Sequence, residues 1–209
     1  MDEEQLFVLT TDINISMSDN INNVRSRHEK FETFRTPSYS YTPLFDYKPE
    51  WFKGSGFDPS AGDGRMIQEI IDRGNIGPHY MNDIREEELP VLQSIPNTVS
   101  TIGDYLWMME VPEVDFMVTN PPFTLAVDFV VKARTHVKGP ICILQSIAWQ
   151  TTYKRSQWLR RSGLAYVLNL GRRPKWEVDT GEKAPSNIWD FAWFIFLPDH
   201  TELPVMDWI

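Results

Sequence analysis

The sequence predicts an α/β protein built on a doubly wound, mostly parallel sheet with helices on both faces. Three observations carry that expectation. From Gly54 onward, short apolar runs alternate with amphipathic stretches, the pattern of repeated strand–helix units. Two of the runs, Pro140–Leu144 and Trp189–Leu197, are apolar almost throughout, as strands covered on both faces must be. The first run ends in a glycine-rich turn directly ahead of a helical pattern, the usual architecture at the carboxyl edge of such a sheet.

Taken in order, residues 1–34 lack sustained periodicity and carry Asn, Ser and Asp clusters. They read as a loosely ordered arm with one short helix near Val24–Phe34. Residues 35–50 are punctuated by Pro37, Pro43 and Pro49 and are expected to be extended or turn-rich. Strands follow at Ser55–Asp58, His79–Met81, Thr98–Ile102, Val114–Val118, Pro140–Leu144, Ala165–Leu170 and Trp189–Leu197, seven in all, with the seventh as the last element. Helices are expected at Arg65–Arg73, where Ile67, Ile70 and Ile71 share a face and Gly74 stops the run, at Thr124–Val137, and at Tyr153–Ser162. At 209 residues, the chain suits one domain over 35–209 with no separate region for reading a target.

Composition narrows the function classes. The chain is 42% hydrophobic with 8 Trp, which excludes a disordered chain. No apolar run approaches the ~20 residues of a membrane span, and residues 1–30 are polar, so neither a membrane segment nor a signal peptide is expected. The single cysteine, Cys142, sits in an apolar run and reads as a buried thiol, which suits a cytoplasmic protein. The four histidines form no ligand spacing, so no metal is expected. Net charge is −9, yet Val131–Lys175 contains no Asp or Glu and holds 10 of the 20 basic residues. An acidic chain with one purely basic segment points to a nucleic-acid partner along that segment, Lys154, Arg155, Arg172, Arg173 and Lys175 being the candidate contacts.

Two motifs carry chemistry. In Asp58-Pro59-Ser60-Ala61-Gly62-Asp63-Gly64, the glycines allow the chain to approach a ligand closely, while the two carboxylates would repel a phosphate. A ligand with an ammonium group and ribose hydroxyls fits better, and S-adenosylmethionine (SAM) has both. The second motif, Asn120-Pro121-Pro122-Phe123, follows an apolar strand. The prolines stiffen the turn, so the Asn side-chain oxygen and a backbone carbonyl can accept two hydrogen bonds from one amine while Phe123 stacks on its ring.

In this order and at this separation, the two motifs resemble the SAM-dependent amino-methyltransferases, in particular the phage-type DNA N6-adenine methyltransferases, over roughly Phe34 to Leu197. The resemblance implies a seven-stranded Rossmann-like methyltransferase sheet and transfer of methyl from SAM to the adenine N6 amine in DNA, with low or short sequence specificity. It implies a catalytic role for Asn120, Pro121, Pro122 and Phe123. For the cofactor it implies Asp58, Pro59, Ser60, Ala61, Gly62 and Gly64, with Thr36-Pro37 closing over the methionine part and Thr42-Pro43 competing for that role. Asp83, favoured over Asn82, would hold the ribose hydroxyls, and Asp104 the cofactor adenine. The segment Gly171–Trp176 resembles a late loop near the substrate, and Arg172–Ser186 is the longest loop candidate for reading bases. The target base would be flipped out or single-stranded. A homo-oligomer or a specificity partner stays open. So do RNA adenine, cytosine N4 and protein glutamine as substrates, and an inactive accessory subunit.

Overall fold

The computed structural model describes residues 35–176 and 189–209. The arm 1–34, including the helix expected near Val24–Phe34, lies outside the described residues, as do 177–186 of the loop candidate.

Eight strands form one sheet. They are β1 (Gly56–Asp58), β2 (His79–Asp83), β3 (Thr98–Ile102), β4 (Phe116–Thr119), β5 (Ile141–Ser146), β6 (Leu164–Asn169), β7 (Phe191–Phe196) and β8 (Val205–Trp208). Their spatial order is β3-β2-β1-β4-β5-β7-β6-β8. β7 runs antiparallel to both neighbours, β5 and β6, and every other pairing is parallel. The order reverses between β1 and β4, and a crevice opens at such a switch point beyond the carboxyl ends of the strands.

The expected seven strands become eight. β8 extends the sheet beyond β6 and follows Trp189–Leu197, which is therefore not the last element. Three of its four residues, Val205, Met206 and Trp208, are apolar yet mostly exposed, so this short edge strand is held by backbone pairing to β6 rather than by a covered face.

The helices are α1 (Thr42–Tyr47), α2 (Arg65–Asp72), α3 (Leu89–Ser94), α4 (Ala126–Ala133) and α5 (Tyr153–Leu159). Alternation along each strand sends neighbours into two separate layers. Phe116, Val118, Trp193 and Ile195 meet α1, α2 and α3 through Leu44, Phe45, Ile67, Ile70 and Leu92. Met117, Ile143, Phe194 and Phe196 meet α4 and α5 through Ala126, Phe129, Val130 and Leu159. Both faces of the sheet are thus covered. Each large side chain so buried stabilises the fold by roughly 1.5–3 kcal/mol against exposure. Cys142 is buried in the first layer, where burial pushes its thiol pKa up.

Residues 35–50 differ from the extended expectation. Helical turns cover Ser38–Ser40, Thr42–Tyr47 and Pro49–Phe52. Pro43 and Pro49 stand in first turns, where a helix does not need the N–H that proline lacks. Pro90 opens α3 in the same way, a helix with no sequence counterpart above. α4 and α5 are shorter than the predicted Thr124–Val137 and Tyr153–Ser162. The 38–41 segment is tied to the sheet by buried Trp193, whose Nε1 donates to Ser40 O at 2.7 Å.

Candidate active site

β1 ends at Asp58, and the chain turns through Pro59–Gly64 into α2. The turn is held by Ala61 N–H donating to Asn82 O and Gly64 N–H donating to Ala61 O, both at 2.9 Å. Gly64 has φ +77°, and a Cβ there would stand 2.4 Å from Ile95 Cδ1. Glycine is therefore required for both conformation and space. Gly62, also left-handed at φ +57°, points its N–H at Asp83 Oδ2, 2.8 Å away.

Asp58 is fully buried. Its Oδ1 accepts from Ser60 N–H at 3.0 Å, and its Oδ2 has no hydrogen-bond partner. Burial pushes its carboxyl up to about 7, against an opposing pull from the Thr119 hydroxyl and the Ser60 N–H. Thr119 Oγ1 itself makes no hydrogen bond of ordinary geometry, so Oδ2 stays an orphaned acceptor.

Asp63 is held between two guanidiniums, Arg35 and Arg65, each at 2.7 Å. Burial would raise its carboxyl, but these two cations outweigh that and hold it below the usual range. The charges continue outward: Arg85 bonds Asp83 at 3.0 Å and Glu88 at 2.9 Å, and Arg35 approaches Glu88 at 4.0 Å. Signs thus alternate around the loop, which keeps the buried Glu88 compensated.

The Thr-Pro pair meets the Asn-Pro-Pro-Phe turn here. Asn120 Nδ2 donates to Thr36 Oγ1 at 3.1 Å, while Asn120 Oδ1 is buried with no partner. A cavity of about 30 Å³, room for only a few waters, is lined by residues of both motifs and of the segment before α1, among them Arg35, Thr36, Ser60, Gly62, Asp63 and Asn120. Pro121 is buried and Pro122 exposed. Phe123 is half-buried and packs on Phe191 at a ring separation of 5.5 Å. Trp176 packs on the other side of that relay, 5.1 Å from Phe191, so it belongs to the core.

The remaining predicted cofactor residues lie at strand ends beside the loop. Asp83 is engaged on both oxygens within the protein, by Gly62 N–H on Oδ2 and by Arg85 N–H and Nε on Oδ1, each of the latter at 3.0 Å. Asn82 is a buried staple: its Nδ2 donates to Gly103 O at 2.9 Å and its Oδ1 accepts from Thr101. Asp104 follows β3 and caps the next turn through Leu106 N–H at 3.0 Å. The charged residues Arg35, Arg65, Arg85 and Glu88 were not singled out from the sequence. Their sequence signal is proximity alone, Arg35 next to Thr36-Pro37, Arg65 next to Gly64 and Arg85 two residues after Asp83.

The five basic candidates separate. Lys154, Arg172, Arg173 and Lys175 are exposed. Arg155 turns inward, its Nη1 donating to Trp149 O at 2.7 Å and its guanidinium lying 5.0 Å from the Trp149 ring centroid. Arg173 is paired with Asp190 at 2.6 Å. Arg172 lies over the Tyr39 ring, 4.0 Å from its centroid, and Lys175 N–H donates to Tyr39 OH at 2.7 Å.

Among the described residues, no His, Cys, Asp or Glu group is arranged to hold a metal ion, and no helix is long and apolar enough to cross a membrane. His136 is buried between Tyr105 OH at 2.8 Å and Pro112 O at 3.1 Å, and burial lowers its pKa.

No protein-family model matches the sequence, and no curated protein matches it. Solved structures do match the fold. One from Pyrococcus horikoshii, named as an RNA methyltransferase, is 16% identical, with a TM-score of 0.59 over 78% of this chain and 85% of that one. A ribosomal protein L11 methylase from Lactobacillus delbrueckii subsp. bulgaricus is 15% identical, with a TM-score of 0.53 over 77% and 79%. An rRNA methylase from Streptococcus thermophilus is 12% identical, with a TM-score of 0.51 over 76% and 96%. At these identities the likeness is one of architecture: the chain has the mixed α/β, Rossmann-like methyltransferase fold, widened by an eighth strand.

Proposed function

We propose that this chain transfers a methyl group from SAM to the exocyclic N6 amine of adenine in DNA, with low or short sequence specificity. The observation that carries the reading is Asn120. Its amide nitrogen is occupied by Thr36, which leaves Oδ1 as a buried, unpaired acceptor beside the glycine loop.

The residues around the cavity suit the cofactor. Asp58 Oδ2 is an orphaned carboxylate oxygen for an ammonium group, Arg35 and Arg65 would have to be shared between Asp63 and a cofactor carboxylate, and Gly62 and Gly64 bring the backbone close. Asp83 would receive the ribose hydroxyls once Arg85 turns aside, and Asp104 the adenine end. When bound, SAM supplies an electrophilic methyl on a sulfonium.

The chain's own residues then prepare the nucleophile. Asn120 Oδ1 and a carbonyl of the rigid Pro121-Pro122 turn accept the two amine hydrogens. That leaves the nitrogen lone pair facing the methyl and withdraws it from the ring. Phe123, braced by Phe191, offers a stacking face worth ~1–3 kcal/mol. Forming the N–CH3 bond would break the S–CH3 bond and release the neutral thioether, and the proton of the alkylated amine would leave to water, so the chain's residues contribute position and electrostatics without a charged base at the amine. The base must reach Asn120 unpaired, either flipped or single-stranded. The acid-free segment favours nucleic acid over a protein substrate.

The deciding experiment labels DNA, RNA and protein with tritiated SAM, followed by nucleoside mass spectrometry. N6-methyldeoxyadenosine formed by the wild type and lost in Asn120→Ala supports the reading. Label confined to RNA, to cytosine or to protein replaces the substrate. No transfer to any of them despite SAM binding overturns the enzyme reading.

A further inference from the structure

The rim of the site carries a pairing that the sequence motifs leave out. The Arg172 guanidinium carbon stands 4.0 Å from the Tyr39 ring centroid, and the same tyrosine's hydroxyl accepts from the Lys175 backbone N–H. Tyr39 is positioned from both sides. It belongs to the turn Ser38–Ser40 that follows Thr36, the residue holding Asn120, and Ser40 O is pinned by Trp193 Nε1. Beyond Arg172 the chain is anchored again where Trp176 packs on Phe191, the residue that braces Phe123. The segment 172–176 is therefore fixed at both ends, by Tyr39 three residues after Thr36 and by Phe191 against Phe123.

Arg172 differs from Arg173 and Arg155 in what it lacks. Arg173 has Asp190, and Arg155 is spent on Trp149, but Arg172 is exposed and has no carboxylate partner among the described residues. A guanidinium with no carboxylate partner among the described residues, held against a ring and exposed, offers its other face and its donor edge. That surface suits a nucleotide, because guanidinium planes stack on bases and their forks match phosphate oxygens. Prior stacking on Tyr39 also restricts the side chain before it binds, which lowers the entropy lost on contact.

We propose that Arg172, preorganised on Tyr39, grips the nucleotide that flanks the target base in a single DNA strand. This rests on the nucleic-acid reading of the Asn120 site. Tyr39 is a positioning residue, and Arg172 is the contact.

The test is fluorescence anisotropy of a labelled single-stranded oligodeoxynucleotide across a salt series, with the full chain. Tritium transfer from SAM to the same strand and thermal unfolding are followed in parallel. Arg172→Lys keeps the charge and loses the plane, and is expected to weaken binding about fivefold or more with an unchanged salt slope. Arg172→Ala should weaken binding further and lower the slope by about one. Tyr39→Phe keeps the ring and should stay within about twofold of wild type, while Tyr39→Ala should resemble the loss of the plane. Wild-type binding in both Arg172 variants, beside intact methylation, overturns the grip and spares the active-site reading. The grip is also overturned if the Tyr39 and Arg172 variants lower only the unfolding temperature, since the pair is then a latch. A wild type that neither binds nor methylates any strand overturns both.

Discussion

Asn120 Nδ2 and Thr36 Oγ1 are joined at 3.1 Å although 84 residues separate them in the chain. The bond fixes which end of the amide faces Thr36 and which end is left over. Thr36→Val should therefore let the amide rotate and slow methyl transfer by about five- to tenfold, the equivalent of one hydrogen bond. Asn120→Ala should abolish transfer. SAM affinity should stay near wild type in Asn120→Ala and fall in Thr36→Val, whose side chain lines the cavity assigned to the cofactor, and calorimetry of cofactor binding beside single-turnover rates checks the split. Wild-type turnover in Asn120→Ala removes Asn120 from the chemistry.

Asp58 predicts a pH dependence of binding. Its carboxyl is pushed up to about 7 in the fold, so it is mostly protonated below that pH and cannot pair with a cation. SAM binding should weaken as pH falls through about 7, by up to about tenfold per unit. Asp58→Asn should bind more weakly at pH 8 and lose the dependence. Titrations at pH 6, 7 and 8 decide this.

The same carboxyl has the opposite consequence for stability. Its folded pKa is raised above the ordinary 3.8, so the unfolded chain ionises first as pH rises. Stability is full below about 3.8 and is lost progressively toward about 7, by on the order of a few kcal/mol for one buried group. Replacing Asp58 with Asn removes the ionisation. The variant's unfolding midpoint relative to wild type should rise between pH 5 and pH 8, and a constant difference would show that Asp58 does not titrate in this range.

Gly64→Ala should destabilise the fold. The added methyl meets Ile95, Met81 and Leu92 within 3.1 Å, and the residue must keep a left-handed φ. We expect a loss of about 1–3 kcal/mol in urea unfolding. SAM binding should fall with it, because α2 starts at this position.

Among the basic residues, Arg155 and Lys154 should behave oppositely. Arg155→Ala removes a contact to Trp149 and should lower the unfolding temperature while leaving the salt slope of DNA binding unchanged. Lys154→Ala should leave stability unchanged and lower that slope by about one. Equal effects from the two would mean that Arg155 leaves Trp149 to meet the strand.

How much of this was legible in the sequence follows from which interactions are local. The strands Thr98–Ile102 and Phe191–Phe196 are visible because β-patterning and burial are written along consecutive residues. The glycine loop and the Asn-Pro-Pro-Phe turn are visible because a tight turn demands particular residues at fixed spacing. The sequence by itself thus determined an α/β sheet, the two motifs and the acid-free segment. It did not reveal β8, a four-residue edge strand whose apolar Val205, Met206 and Trp208 are mostly exposed, nor the helical turns at Pro43 and Pro49, where proline reads equally as a break or a first turn.

Tertiary structure alone decided the partners. It joined Thr36 to Asn120, turned Arg155 onto Trp149, gave Asp190 to Arg173 and laid Arg172 on Tyr39. The Thr36, Asp190 and Tyr39 contacts join residues far apart in the chain, which no local propensity encodes, while the Arg155 contact spans six residues and depends on how the turn Ile147–Thr151 meets α5. The physical reason is that composition sets how much charge a segment carries, whereas packing sets which of those charges meets a carboxylate, which meets a ring, and which is left facing solvent.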